Sequence, residues 1–130
     1  MTYKTKVFVY GTLKKGNGNH GFLKEATYIG DAWTKEEYTL LTDHYVGLPY
    51  VIKEPSYSIA GEIYEVDEHT FMTLDNLEGH PHFYERELID CFIPISANIR
   101  GQDIVEEKAW LYFLKDYDTT AIRKLPTGVW

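Results

Sequence analysis

Hydrophobic and polar positions alternate over most of the chain, with the period of two that is typical of β-strands. The run at 6–10, KVFVY, is apolar almost throughout, which predicts a strand buried on both faces. Further strands are predicted where alternating or β-rich runs occur, at 28–33, 37–41, 57–66, 83–95 and 107–114. Gly61, in the middle of one of these runs, indicates a bulge or a close approach between backbones.

The period changes to that of a helix after residue 66. Asp67 suits the N-cap position, and Gly79 suits the left-handed residue that follows a last helical turn. The helix is therefore predicted to end at about Glu78. One face of it is predicted to carry Phe71, Leu74, Leu77 and Glu78.

Many strands with one strong helix predict a single α+β domain over residues 1–130. The architecture that we favour is a small mixed β-barrel with flanking helices. Residues 20–26 are expected to form a short helix with Asn19 as its cap, and residues 43–50 a loop. The tail at 116–130 has no clear pattern, and we expect a short helix followed by an arm.

Composition and charge exclude several classes of partner. The net charge is −7, so nucleic acid and anionic lipid are both disfavoured. Cys91 is the single cysteine, which rules out an internal disulfide, and its place in an alternating run predicts an inert strand residue. No run is long enough for a membrane span, and the first residues lack a secretion signal. We expect a cytoplasmic protein, and the oligomeric state stays open.

The glycine-rich stretch after the first strand, GTLKKGNGNHG, does not fit the familiar phosphate loops. Gly11 and Gly16 have the Walker spacing, but Asn17 stands where that motif requires lysine. A dinucleotide motif, G-x-G-x-x-G, is formed by Gly16, Gly18 and Gly21. Its first glycine lies six positions beyond Tyr10, whereas the dinucleotide turn follows its strand directly. A dinucleotide site is therefore a weak alternative.

Gly11 itself has another possible role, because glycine allows a sharp turn at the end of the strand. The backbone N–H groups of Gly11, Thr12 and Leu13 would then lack ladder partners and could form a nest for a carboxylate or oxyanion. The alternative is a plain tight turn.

Glu78 is an acid on the apolar face of its helix. Such residues usually lie at the boundary of the core with the carboxylate in water. Here the helix dipole opposes a negative charge in the last turn, and apolar neighbours would remove water. Both effects raise a carboxylate pKa, which favours a general base that works near neutral pH.

Signs of metal or nucleophilic chemistry are weak. His80 and His82 flank Pro81, but the other possible ligands have no ligand-type spacing, and we predict no metal. No G-x-S-x-G motif is present, and Cys91 in mid-strand is a poor nucleophile.

The segment VFVYGTLKKGNGNH is followed in order by a loop that contains Pro49 and Tyr50, by GEIYEVDE and by LDNLEGHPHFYER. Together they resemble the gamma-glutamylcyclotransferase-like superfamily, and within it the gamma-glutamylamine cyclotransferase branch. The resemblance runs from Val7 to about Arg86. It implies a small mixed β-barrel with flanking helices, and an enzyme that cyclises a γ-glutamyl amine to 5-oxoproline and free amine without a cofactor. It also implies that Glu78 is the catalytic glutamate and that Tyr84 lies in the wall of the substrate pocket. The glutamyl head would bind at Tyr10, Gly11, Thr12 and Leu13.

Two alternatives stay open beside this interpretation. The first is a cyclotransferase for another γ-glutamyl compound, such as a γ-glutamyl amino acid, glutathione or a protected metabolite. The second is a non-catalytic module that binds a small metabolite in the same pocket. The stretch 90–107 and the tail match nothing in the family pattern, so the amine side of the pocket is not defined by the resemblance.

Overall fold

The computed structural model describes residues 4–11, 20–43, 49–82, 84–98, 101–115, 122–124 and 127–129. These residues form eight strands, one α-helix and one short 3-10 helix. The strands are β1 Lys4–Val9, β2 Thr27–Thr34, β3 Tyr38–Asp43, β4 Pro49–Tyr57, β5 Ala60–Asp67, β6 Tyr84–Asn98, β7 Gly101–Leu114 and β8 Ile122–Lys124. The α-helix, α1, is Glu68–Glu78, and the 3-10 helix is His20–Leu23.

Five strands close into a barrel in the order β1-β5-β2-β6-β7, and a separate three-stranded sheet has the order β4-β3-β8. The barrel is mixed, because β1 runs antiparallel to β5 but parallel to β7, with Val7 opposite Trp110. With one α-helix beside it, this is the predicted α+β class, and the small mixed β-barrel is confirmed.

Strand β1 lies between two parts of the core. Phe8 packs into a cluster that the barrel strands share with β3 and β4 of the separate sheet. Val7 and Val9 point to the other face, where they share a cluster with Leu74 of α1. All three β1 side chains are at most 3% exposed, so the predicted burial on both faces is confirmed.

Helix α1 begins and ends as its sequence predicts. The Asp67 side chain accepts a hydrogen bond from the Thr70 N–H at 2.8 Å, and Gly79 adopts the left-handed conformation after the last turn. The predicted apolar face is only partly right. Leu74 is fully buried, but Leu77 is 39% exposed. The helix packs against the barrel along a narrow stripe that includes Leu74, and Leu77 lies at the edge of this contact, exposed to solvent.

Three other predictions need correction or refinement. Both ends of the loop expected at 43–50 are in strands, because Asp43 belongs to β3 and Pro49 and Tyr50 belong to β4, a strand that the sequence pattern did not reveal; residues 44–48 lie outside the described residues. Part of the tail pairs with β3 as the strand β8, where a short helix was expected. Gly61 is a close approach, since an added Cβ would collide with the Val9 carbonyl and the Phe8 ring.

Candidate active site

Glu78 is the last residue of α1 and lies half-buried beside the barrel. Loss of water on burial raises the pKa of Glu78 from the ordinary 4.5 to about 7. The last turn contains no basic residue that would oppose this effect. Among the described residues, no hydrogen bond or ion pair engages its carboxylate. A carboxylate in this state is half-ionised near neutral pH and can accept or release a proton.

Tyr10 follows β1 directly and faces Glu78. Burial raises the pKa of Tyr10 well above its usual value, and the charges of Tyr84 and Glu78 raise it further. The Tyr10 hydroxyl donates a hydrogen bond to the Tyr112 carbonyl at 3.0 Å. The phenol therefore stays protonated, with its position fixed by the backbone of β7.

Tyr84 is the first residue of β6, and its ring stacks on Tyr50 of β4. The ring centroids are 6.3 Å apart and the planes differ by 27°. Because Tyr84 also acts electrostatically on Tyr10, the two tyrosines and Glu78 belong to one neighbourhood. Tyr50 was not among the predicted site residues. The proline–tyrosine pair at 49–50 was the available signal, but it was assigned to a loop.

Gly11 is buried and has a φ of 66°, a conformation that favours glycine. A Cβ added to Gly11 would collide with the Pro49 ring, so a side chain is excluded for two reasons. This contact brings the end of β1 against the start of β4. Thr12 and Leu13 lie outside the described residues, so the predicted nest of N–H groups stays a prediction.

The structure thus brings together Tyr10, Gly11, Glu78 and Tyr84 from three separate parts of the sequence. It also adds residues that the sequence did not indicate. Asp75, three residues before Glu78 on α1, binds the Arg86 guanidinium and the Tyr112 hydroxyl.

Other chemistry finds little support among the described side chains. They contain no group of three or more His, Cys, Asp or Glu residues placed to hold a metal ion. Cys91 is buried in β6, and burial raises the pKa of its thiol to about 12, which makes it a poor nucleophile. No helix in the described parts of the chain is long and apolar enough to cross a membrane.

Comparison with known proteins gives one family. The family model described as gamma-glutamyl cyclotransferase, AIG2-like, matches residues 7–130. A Methanocaldococcus jannaschii protein provisionally named gamma-glutamylcyclotransferase is 44% identical over 82% of this chain and 82% of its own. A Rattus norvegicus gamma-glutamylaminecyclotransferase is 39% identical, over 87% of this chain and 89% of its own. Among solved structures, an AIG2-like protein from Mus musculus superposes with a TM-score of 0.77 and 28% identity, covering 92% of this chain and 82% of that one. The resemblance to the superfamily, and to its gamma-glutamylamine cyclotransferase branch, is confirmed.

Proposed function

The chain belongs to the AIG2-like gamma-glutamyl cyclotransferase family, and from this premise we propose that it converts a γ-glutamyl amine, such as γ-glutamyl-ε-lysine, to 5-oxoproline and free amine. The observation that carries the proposal is Glu78: a half-buried carboxylate with a pKa of about 7, beside two tyrosines at the end of a helix.

The reaction needs no nucleophile from the protein, because the substrate supplies its own. The α-amine of the glutamyl group attacks the γ-carbonyl carbon, which forms the C–N bond of the five-membered ring. The bond from that carbon to the leaving amine then breaks. At neutral pH the α-amine carries a proton that must leave before it attacks. Glu78 in its ionised form takes this proton and, once protonated, passes it to the departing amine. After the attack the ring nitrogen still carries one proton too many, and this second proton also goes to the released amine, which leaves as an ammonium ion.

Orientation supplies a second part of the rate. A γ-glutamyl chain in water is mostly extended, and ring closure requires it to fold so that amine and carbonyl meet. In our proposal the residues Tyr10, Gly11, Thr12 and Leu13 hold the glutamyl head. The collision that an added Cβ at Gly11 would make with Pro49 supports a role for this backbone in a tight fit.

The stacked rings of Tyr84 and Tyr50 are proposed to contact the leaving amine side. Two aromatic faces suit an aliphatic chain and also a cationic end group, such as that of lysine. This feature favours an amine over a peptide with further carboxylates. The broader family name keeps γ-glutamyl amino acids and glutathione as alternative substrates.

The test is release of 5-oxoproline from γ-glutamyl-ε-lysine, other γ-glutamyl amines, γ-glutamyl amino acids and glutathione. The variant Glu78→Gln should lose roughly a hundredfold to ten-thousandfold in rate. Glu68→Gln is the matched control, because Glu68 is an exposed glutamate at the other end of the same helix, and it should keep wild-type activity. Normal turnover by Glu78→Gln would exclude the mechanism. No release of 5-oxoproline from any substrate by folded wild type would favour a binding module.

A further inference from the structure

The carboxylate of Asp75 lies at the centre of a hydrogen-bonded network beside Glu78. Arg86 donates to it through two nitrogens, Nε to Oδ1 at 2.8 Å and Nη2 to Oδ2 at 3.3 Å. The Tyr112 hydroxyl donates to the same Oδ1 at 2.6 Å. Arg86 and Tyr112 are direct partners in the ladder between β6 and β7, so their side chains leave the same face of the barrel. Asp75 thus links α1 to both strands.

Arg86 is held more firmly than a surface arginine. Its guanidinium lies over the rings of Phe71 and Trp110, at 4.3 and 4.7 Å from their centroids. The side chains of Arg86 and Asp75 are only 22% and 20% exposed. A forked, stacked and half-buried pair of this kind has a defined geometry, unlike most exposed ion pairs.

Tyr112 connects this network to the candidate active site. Its backbone carbonyl accepts a hydrogen bond from the Tyr10 hydroxyl. Its ring contacts the His80 ring edge-on, with the ring centroids 6.5 Å apart. Burial raises the pKa of Tyr112, the bond to Asp75 raises it further, and the charge of Glu78 adds a smaller rise. Tyr112 therefore faces Glu78 as a neutral phenol. A phenol has one hydrogen, and here that hydrogen is donated to Asp75.

We propose that Asp75 is a positioning residue for the reaction: it retains the hydroxyl hydrogen of Tyr112 and the guanidinium of Arg86, so that neither donates to the Glu78 carboxylate. The part of this proposal that concerns catalysis rests on the proposed function. The part that concerns the protonation of Glu78 does not, because it follows from contacts within the protein.

Removal of the Asp75 charge should make Glu78 easier to ionise. In Asp75→Asn the Arg86 cation loses its counter-charge, the hydroxyl of Tyr112 can turn toward Glu78, and a negative charge three residues away disappears. All three changes favour the ionised form. The titration midpoint of Glu78 should therefore fall, by about one pH unit or more. The opposite variant, Arg86→Gln, leaves the Asp75 charge unneutralised and should raise that midpoint.

Several groups face these residues and must be separated from Glu78 in a titration. Tyr10, which follows β1, and Tyr112 of β7 both face Glu78, and both have raised pKa values, so they stay neutral across the pH range of the titration. Tyr84 faces it from β6. His80 lies behind Tyr112, where its Nδ1 accepts the Arg86 backbone N–H at 3.3 Å. Its ring protons give signals of their own, so it can be followed independently.

The experiment is a carboxyl ¹³C NMR titration of the free protein with labelled glutamate. The Glu78 signal is assigned by its loss in Glu78→Gln. Asp90→Asn serves as the matched control, because Asp90 also pairs with a cation across β6 and β7, Lys108 at 2.7 Å, but away from Glu78. We expect the Glu78 midpoint to fall in Asp75→Asn, to rise in Arg86→Gln and to stay unchanged in Asp90→Asn.

A folded Asp75→Asn protein with the wild-type midpoint would overturn the proposal. If that variant does not fold, Arg86→Gln decides, and an unchanged midpoint there overturns it equally. A merely structural role for Asp75 would reduce the folded fraction without moving the midpoint. The titration needs no substrate, so it also separates the two proposals. The expected midpoints without 5-oxoproline release from the wild type would refute the proposed function and the catalytic part of this proposal, but would support the effect of Asp75 on the protonation of Glu78.

Discussion

Substitution of Glu78 by glutamine should make the protein more stable above neutral pH, although it should remove the activity. The folded state raises the pKa of Glu78 from 4.5 to about 7, because burial disfavours its charged form. A carboxylate whose pKa is higher in the folded state than in the unfolded state loses stability as the pH rises. That loss begins near pH 4.5, grows through pH 7 and then levels off.

The size of this loss of stability follows from how far the pKa of Glu78 is raised in the folded state. A difference of about 2.5 between the folded and unfolded pKa values, at about 1.36 kcal/mol per pH unit, corresponds to at most about 3.4 kcal/mol. The value falls to about 2 kcal/mol once the part of the side chain still in water is allowed for. Glutamine is neutral at every pH and avoids this penalty. The variant should therefore equal the wild type near pH 4 and exceed it by about 2 kcal/mol at pH 8.

Urea denaturation at pH 4, 6 and 8, followed by circular dichroism, measures the difference directly. The free energy of unfolding should fall with urea concentration at the same slope for both proteins, so that the midpoints report stability alone. Glu68→Gln is again the control, because Glu68 is exposed and its removal relieves no burial of charge. A constant difference between Glu78→Gln and the wild type from pH 4 to pH 8 would refute the assignment of a buried, protonatable base.

Three further predictions concern the pH dependence of the activity, the glycine at position 11 and the helix N-cap Asp67. The kcat/KM for 5-oxoproline release should rise with pH through about 7 as Glu78 ionises. Rate measurements between pH 5 and 8 test this, and the absence of that rise would show that another group is the base. Gly11→Ala should lower stability by about 2 kcal/mol or more, because of its left-handed backbone and the collision with Pro49; an unchanged urea midpoint would contradict this. Asp67→Ala removes the cap on Thr70 and should reduce stability by about 1 kcal/mol while activity per folded molecule is retained, which paired denaturation and rate measurements would check.

Local patterns predicted the elements whose signals lie within a few residues. The apolar run of β1 specified burial on both faces, and Asp67 and Gly79 specified both ends of α1. Glu78 could be singled out because its apolar neighbours in the sequence predict the burial that raises its pKa. These properties depend on nearby sequence and need no knowledge of the tertiary fold.

The features that escaped prediction depend on distant contacts or on interrupted patterns. In β4 the polar pair Lys53 and Glu54 and the proline at 55 break the alternation, so the strand exists because β3 pairs with it. Leu77 lies outside because the helix contacts the barrel along a narrow stripe. The sequence analysis did not single out Asp75, because its partners Arg86 and Tyr112 lie 11 and 37 positions away.

The register between β6 and β7 ties the fold to the candidate site. Arg86 lies opposite Tyr112, and Tyr84 opposite Leu114, so the hairpin sets which side chains face α1. A slip of one residue would turn Arg86 and Tyr112 to opposite faces and leave Asp75 without one of its partners. The expectation that 90–107 lies outside the family pattern is wrong, because the family model matches residues 7–130 and so includes both strands of this pair. The ladder places Arg86 and Tyr112 so that both donate to Asp75 on α1, and in our proposal this network controls the protonation of Glu78 three residues later.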